Sequence, residues 1–75
     1  MVYGGVAMSF NYDGLWSVAF NRKISKTQLR DLVGISNSTL SKLSKNETVS
    51  MEILGRICET LDCSIEDVVE YRKER

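Results

Sequence analysis

The sequence predicts a single all-α domain of five short helices, and three observations lead to that prediction. A chain of 75 residues, 43% hydrophobic and 27% charged, is long enough for one modest core. Apolar residues recur three and four positions apart along several short stretches, as on one face of a helix. Four of these stretches are preceded by a serine, the residue type that accepts hydrogen bonds at helix N-termini. These serines are Ser25, Ser36, Ser50 and Ser64.

The first helix is predicted from about Asp13 to Arg22, with Leu15 and Ala19 on one face. Trp16 and Phe20 form an adjacent aromatic pair four positions apart. We expect both rings in the core, because so small a domain needs the area that they bury.

The second helix is predicted to begin at a capping box formed by Ser25 and Gln28. It should end at Gly34, which can adopt the left-handed conformation after a last turn. Ile35 is then a buried turn residue, and Ser36 caps the next helix at once. A connection of about three residues forces a sharp corner between the two helices.

The third helix is predicted over Asn37–Ser44, ending at Asn46 in a left-handed cap. Only Leu40 and Leu43 are apolar, so the helix can bury no more than a narrow stripe. Its short polar side chains give it poor intrinsic helicity. A helix this weak must be held by its neighbours, and we infer that its polar face is kept for a purpose.

The fourth helix, predicted to follow Ser50 and to run to Leu61, has the clearest apolar spacing and should be the central core helix. Gly55 lies inside it, at a cost of about 1 kcal/mol relative to alanine. Close packing against another helix would account for this glycine.

The fifth helix is predicted after Ser64 and contains Ile65, Val68 and Val69, with Asp67 completing a second capping box. Both ends of the chain carry β-forming residues, so short extended segments are expected there. The expected organisation is a flexible leader over 1–8, the domain over 9–71 and a charged tail over 72–75. Either Met1 or Met8 is a plausible start.

The formal net charge is zero, but the charges are unevenly distributed. Residues 21–45 hold six bases and one acid, a net charge of +5, whereas residues 46–70 hold one base and seven acids, a net charge of −6. One basic segment can therefore face phosphates while the rest keeps the protein soluble.

The composition argues against several classes of protein. With no histidine and only two cysteines, we expect neither a metal site nor a disulfide framework, with Cys58 a small core residue and Cys63 a partly exposed thiol. No apolar run approaches the ~20 residues that span a bilayer. No phosphate-binding loop or activated nucleophile is visible, so we expect no enzyme and no cofactor. A cytoplasmic location is expected.

A two-helix corner of this kind suits duplex DNA, whose major groove is about 12 Å wide and admits one helix. The stretch 26–45 resembles the helix-turn-helix of the Cro/CI-type (XRE-like) repressors. Residues 34–43 match that family's pattern of Gly-hydrophobic-Ser-x-Ser-Thr-hydrophobic-Ser-basic-hydrophobic. The resemblance extends over about residues 9–71 and is closest to small stand-alone members. It implies a five-helix, lambda-repressor-like DNA-binding domain.

The resemblance also implies roles for individual residues. Bases of the DNA would be contacted from the third helix by Asn37, Ser38, Ser41 and Lys42. Phosphates would be contacted by Lys26, Thr27, Thr39, Lys45 and Asn46. Asparagine suits bidentate contact with adenine, and Lys42 could reach either guanine or a phosphate.

The sequence departs from the family pattern in the second helix. Arg30 stands where a small residue is usual, and Leu32 stands where a polar residue is usual. Either the second helix is slightly rotated, or the Arg30 stem packs while its guanidinium reaches outward. A milder departure is Asn46, at a position where glycine is frequent.

The leading hypothesis is a sequence-specific transcriptional regulator, acting as a repressor and as a homodimer on a palindromic operator. The dimer surface is expected at the aromatic residues near the N-terminus and at Val69–Tyr71. No small-molecule sensor domain is expected. The alternative is a protein-interaction module, such as an antitoxin-like accessory subunit, that keeps the fold and uses its acidic helices. DNA binding that weakens steeply with salt would distinguish the first from the second.

Overall fold

Five helices and one two-stranded sheet make up the computed structural model, which describes residues 8–73. The order along the chain is β1 (Met8–Asn11), α1 (Asp13–Asn21), α2 (Lys26–Val33), α3 (Asn37–Ser44), α4 (Met51–Leu61), α5 (Ile65–Val68) and β2 (Glu70–Lys73). The predicted all-helical, five-helix fold is confirmed, with the sheet as a small addition that joins the two ends of the domain.

The core lies where the five helices converge, and every helix contributes to it. Its buried apolar side chains are Tyr12, Leu15, Ala19, Leu29, Val33, Ile35, Leu43, Leu54, Ile57, Leu61 and Val68. No polar or charged residue is buried among the residues that the structure describes. The sequence predicts an apolar side of the second helix at Leu29, Leu32 and Val33, and one of the fourth helix that begins at Met51. Leu29 and Val33 are buried, as are most later members of the fourth helix, but Leu32 and Met51 are exposed, so their predicted burial is wrong.

Local signals in the sequence set the helix ends. At α2 the Ser25 hydroxyl accepts the Gln28 N–H at 3.1 Å, and the Gln28 side chain accepts the Ser25 N–H at 2.8 Å. The predicted capping box is therefore present. The Ser50 hydroxyl accepts the Ile53 N–H at the start of α4 at 3.2 Å. At α5 the Asp67 carboxylate accepts the Ser64 N–H at 3.0 Å.

The two strands pair antiparallel, with Phe10 opposite Tyr71. Their ring centroids are 5.2 Å apart, so the aromatic residues of the two chain ends meet on one face of the sheet. The expected extended segments are confirmed at both ends. The placement of Val69 in the fifth helix was wrong, because α5 ends at Val68 and Val69 is already extended with φ −130° and ψ 143°.

The aromatic pair of α1 is not a core pair. Trp16 is half-buried, but the Phe20 side chain is 81% exposed, so its predicted burial was wrong. The core face of α1 runs through Leu15 and Ala19, and Phe20 lies one position beyond it. Helix α1 also ends one residue earlier than predicted, and the guanidinium of Arg22 donates to the carbonyl of Leu61 at the end of α4.

The close packing expected at Gly55 is found instead at Gly14. A Cβ at Gly55 would meet no atom within 4 Å, whereas a Cβ at Gly14 would overlap the carbonyl oxygen of Asp67. Helices α1 and α5 therefore approach each other through a glycine backbone. This contact is between residues far apart in sequence, which is why helix periodicity did not reveal it.

Both cysteines are half-buried free thiols packed against the core. Burial raises the pKa of the Cys63 thiol, as do the neighbouring Cys58 and Asp67, and nearby Arg22 partly opposes this. Among residues 8–73, no group of histidine, cysteine and carboxylate side chains is arranged to hold a metal ion. The helices in this part of the chain are all too short or too polar to cross a bilayer.

Candidate nucleic-acid interface

The corner between α2 and α3 is built by Gly34 and Ile35. Gly34 is left-handed, with φ 80° and ψ 39°, a conformation that costs glycine nothing. The N–H groups of Gly34 and Ile35 both donate to the Arg30 carbonyl, at 2.9 and 3.1 Å. Buried Ile35 then fixes the turn, and the Ser36 hydroxyl accepts the Thr39 N–H at 3.2 Å to start α3. The corner has the short, glycine-based form that the sequence predicted.

An apolar seam joins the two helices of the corner. Leu29, Val33 and Ile35 are buried, and Leu40 is half-buried against the same cluster. Leu43 is fully buried and anchors the last turn of α3. Because α3 has few helix-favouring residues of its own, this seam is what holds it in place.

The opposite side of α3 faces outward. Asn37, Ser38 and Lys42 are exposed, and Ser41 is half-buried beside them. These four side chains, predicted as base-contacting, thus lie on one short helix and carry hydrogen-bond donors and acceptors of several kinds. The predicted polar face of α3 is present on the surface of the domain.

Two basic residues of α2, one turn apart, reach the two ends of α3. The Lys26 ammonium donates to the hydroxyl of Ser44, the last residue of α3, at 3.3 Å. The same ammonium lies 4.6 Å from the centroid of the Trp16 ring, a cation–π contact. The guanidinium of Arg30 donates to the side-chain oxygen of Asn37, the first residue of α3, at 2.6 Å. Residues four apart share a face of a helix, so one face of α2 spans the whole length of α3.

The remaining residues predicted to contact phosphate surround this helix pair. Thr27 and Lys45 are exposed at the start of α2 and at the end of α3. Thr39 is half-buried, and its hydroxyl accepts a hydrogen bond from the Ser36 hydroxyl at 3.2 Å. Asn46 is left-handed with φ 60°, as its predicted capping role requires, and its side-chain oxygen accepts the Tyr12 N–H at 3.3 Å. Its amide nitrogen is left as the group that could donate to a phosphate.

Arg30 is the residue of this surface whose role the sequence did not predict. Its side chain is 29% exposed, and its Nε lies 3.0 Å from the Asp31 carboxylate. A side chain that is mostly covered, with its guanidinium bonded to the exposed residues Asp31 and Asn37, fits the second of the two alternatives for this position. Leu32, the other departure, is 58% exposed. The departure from the family pattern was visible in sequence, but the hydrogen bond to Asn37 needed the corner to be folded.

The charge of this surface is positive and largely free of internal compensation. Among residues 8–73, Arg30 pairs with Asp31, while the other ion pairs join Arg56 to Glu52 and Arg72 to Glu70. In that part of the chain, no carboxylate forms an ion pair with the lysines on and beside the corner, which are Lys23, Lys26, Lys42 and Lys45. Their charge can therefore act on an external anion such as a phosphate.

A sharp glycine corner, an apolar seam and an exposed polar helix flanked by lysines define a helix-turn-helix DNA-binding domain. Comparison with known families agrees. The Cro/C1-type helix-turn-helix DNA-binding domain matches residues 14–74, and the chain belongs to this family.

Individual relatives are consistent with this assignment. The chain is 38% identical over 55 residues to the uncharacterized HTH-type transcriptional regulator YozG of Bacillus subtilis (strain 168). That match covers 71% of this chain and 66% of the relative, just under two thirds of its length. The crystal structure of the transcriptional regulator VanUg is similar with a TM-score of 0.85 and 43% identity, covering 89% of each chain.

Proposed function

We propose that the protein is a sequence-specific transcriptional regulator, acting as a repressor, that places α3 in the major groove of duplex DNA. The observation that supports this most directly is the polar, exposed outer face of α3, which an apolar seam holds on the corner. A repressor needs no more than occupancy of its operator, which suits a domain whose recognisable machinery is a DNA-binding surface. Its site of action would be the cytoplasm, with the DNA that it binds.

The roles of individual side chains form part of the proposal. Base edges are read by the outer face of α3, through Asn37, Ser38, Ser41 and Lys42. The phosphates on either side are held by residues at the ends of α2 and α3, namely Lys26, Thr27, Thr39, Lys45 and Asn46. The role of α3 is supported by exposure, because the predicted base readers Asn37, Ser38 and Lys42 are all exposed on it.

We further propose that the protein binds as a homodimer. One short α3 offers few base contacts, and two copies about 34 Å apart on the duplex would double the sequence that is read. A candidate surface is an apolar groove of about 180 Å³ whose lining includes Phe10, Met51, Ile65 and Val69. No residue of α2 or α3 lines this groove, so a second copy seated there would leave α3 uncovered.

Selection of bound sequences from random duplex DNA tests the whole proposal. We expect one enriched site with two inverted half-sites, because an isologous dimer has two-fold symmetry. Binding of the selected duplex should weaken steeply as salt is raised, through release of condensed counterions. Recovery of no enriched sequence, with no salt-dependent binding, would support a protein-interaction module instead.

Two substitutions then separate base contact from phosphate contact. Asn37→Ala should lose discrimination at one base position of each half-site. Duplexes that differ only at that position should then bind the variant with nearly equal affinity. Lys45→Ala should weaken binding to all sequences similarly. The proposed placement of α3 is wrong if neither substitution alters binding.

A further inference from the structure

The contact between Arg30 and Asn37 fixes the orientation of the foremost side chain of α3. A guanidinium carries only N–H donors, so the Asn37 atom that it meets at 2.6 Å must be the amide oxygen. The amide of Asn37 is thereby orientated with its oxygen toward α2 and its NH₂ group away from the guanidinium. A solvent-exposed asparagine without such a partner would present either orientation.

Arg30 is itself held in place. Its Nε donates to the Asp31 carboxylate at 3.0 Å, its side chain is 29% exposed, and its backbone carbonyl accepts both N–H groups of the corner. The guanidinium therefore bridges the last turn of α2 and the first turn of α3 from a defined position. A charged donor gives a stronger hydrogen bond than a neutral one, so the Asn37 oxygen is firmly engaged.

We propose that Arg30 is a specificity-determining residue that acts together with Asn37, and that the pair selects guanine. The inference rests on the proposed function, because it assumes that the start of α3 meets base edges. Asparagine alone suits adenine, since its oxygen accepts from N6 while its nitrogen donates to N7. In this protein the cation of Arg30 occupies that oxygen and would face the N6 donor of adenine.

What the pair offers to a base is a set of donors. The NH₂ group of Asn37 and the remaining N–H groups of Arg30 can donate. The acceptor of the pair, the amide oxygen of Asn37, already has the Arg30 guanidinium beside it. Guanine presents two acceptors, N7 and O6, on its major-groove edge, whereas adenine presents one acceptor and one donor. Guanine is therefore the base that complements the pair.

The test compares base preferences of four proteins: the unmodified chain, Arg30→Ala, Asn37→Ala and the double variant. Each is measured on the selected duplex and on duplexes with every base at the position that Asn37→Ala identifies. The unmodified chain should prefer guanine there by about 10-fold, within the range for one good bidentate contact. Arg30→Ala should move the preference to adenine, because the freed amide can then make both of its hydrogen bonds.

The double variant should discriminate no better than Asn37→Ala alone, because the two residues act as one unit. Arg56→Ala is the matched control: it removes an exposed, ion-paired arginine of α4 and should leave the preference for guanine unchanged. If Arg30→Ala unfolds the domain, Arg30→Met keeps most of the apolar stem and should give the same shift toward adenine.

Three results would overturn the inference while leaving the proposed function intact. These are a preference for adenine in the unmodified chain, an equal weakening of all duplexes by Arg30→Ala, and additive effects in the double variant. The first would show that the oxygen of Asn37 is free to accept. The second would show that Arg30 contacts phosphate alone, and the third that the two residues act independently. The proposed function itself fails on a different result, the absence of any sequence preference in the unmodified chain.

Discussion

Gly14 and Gly55 both lie inside helices but have opposite surroundings. A methyl group at Gly14 would overlap the Asp67 carbonyl oxygen and lie 3.0 Å from its carbon, whereas one at Gly55 would enter open space. Backbone atoms cannot swing aside as a flexible side chain does. We therefore expect Gly14→Ala to lower the free energy of unfolding by about 1–3 kcal/mol, as overpacking does.

Gly55→Ala is the control for that prediction, because it makes the same chemical change in a helix without a clash. It should raise the free energy of unfolding by up to about 1 kcal/mol, through better helix propensity and a less flexible unfolded chain. Urea unfolding measures both. Equal effects of the two substitutions would contradict the contact between α1 and α5.

Tyr12 couples the stability of the fold to alkaline pH. Its ring is buried, and its hydroxyl donates to the Glu47 carbonyl at 2.7 Å. Burial raises the pKa of the Tyr12 hydroxyl above the ordinary value of 10.0, and a backbone hydrogen bond with Val49 lowers it in part. The folded state thus holds this proton more tightly than the unfolded chain does. The stability that results is complete below pH 10.0 and is lost as the pH rises through the higher folded pKa.

Tyr12→Phe should therefore be less stable than the unmodified protein by about 1 kcal/mol at neutral pH, the usual net contribution of one hydrogen bond. This difference should shrink as the pH rises above 10.0 and through the raised pKa of the folded state, because the unmodified protein then loses the contribution of the protonated hydroxyl. Unfolding in urea at several pH values measures the difference. Tyr71→Phe, which removes the hydroxyl of an exposed tyrosine, is the control for the loss of a hydroxyl group. A difference in the free energy of unfolding between Tyr12→Phe and the unmodified protein that stays constant with pH would contradict the role of the Tyr12 hydroxyl.

Helix α3 depends strongly on the hydrogen bond that caps it, because its own residues favour a helix weakly. The helix has eight residues, four of them serine or threonine, and its cap is the Ser36 hydroxyl, 3.2 Å from the Thr39 nitrogen. Ser36→Ala should lower the free energy of unfolding by about 1 kcal/mol. Ser38→Ala, at an exposed serine on the same turn, should change stability little but weaken binding to the selected duplex. Equal losses of stability in the two variants would contradict this role of the Ser36 cap.

The elements that sequence predicted well are those whose limits are set by neighbouring residues. The capping box at Ser25, the left-handed Gly34 and the left-handed Asn46 are all local signals, and each marks a helix end in the structure. The exposure of Phe20 and the fit of Gly14 against α5 depend instead on where distant elements pack. Helical periodicity places Phe20 near the core face but cannot say whether a partner covers it.

The candidate interface shows the same division. Sequence predicted the corner, the seam and the outward face of α3, because the spacing of glycine and of the apolar residues determines them. It did not predict that Lys26 and Arg30 reach the two ends of α3, since those contacts form only after the corner brings the helices together. The strand register that places Phe10 beside Tyr71 is likewise a contact between the two ends of the domain.

At the scale of the whole molecule, the proposed dimer face can be tested without touching the proposed DNA contacts. Met51 is 70% exposed and is the first residue of α4, where a negative charge is favourable for the helix. Met51→Glu should therefore fold normally yet dissociate the dimer, because it places a charge in the apolar groove. Sedimentation at several protein concentrations measures the dissociation of the dimer.

Phe20→Glu is the control: it adds the same charge at an exposed apolar site outside the groove and should leave the dimer intact. A dimer that survives Met51→Glu must use another surface.

The basic and acidic residues of the protein are separated along the chain. A molecule with no net charge can still bind a polyanion if its basic residues are close together, because at ordinary salt a charge acts only over about 10 Å. Residues 21–45 supply such a group, while the acids of α4 and α5 are ion-paired or exposed elsewhere. Binding should then follow the local charge of the corner and not the net charge.

Lys45→Gln and Arg56→Gln change the net charge equally, but only the first removes a cation of the corner. We expect Lys45→Gln to reduce the slope of log affinity against log salt by about 1 and Arg56→Gln to leave it unchanged. Equal slopes for the two variants would mean that the field of the whole protein, and not contact with individual phosphates, governs binding.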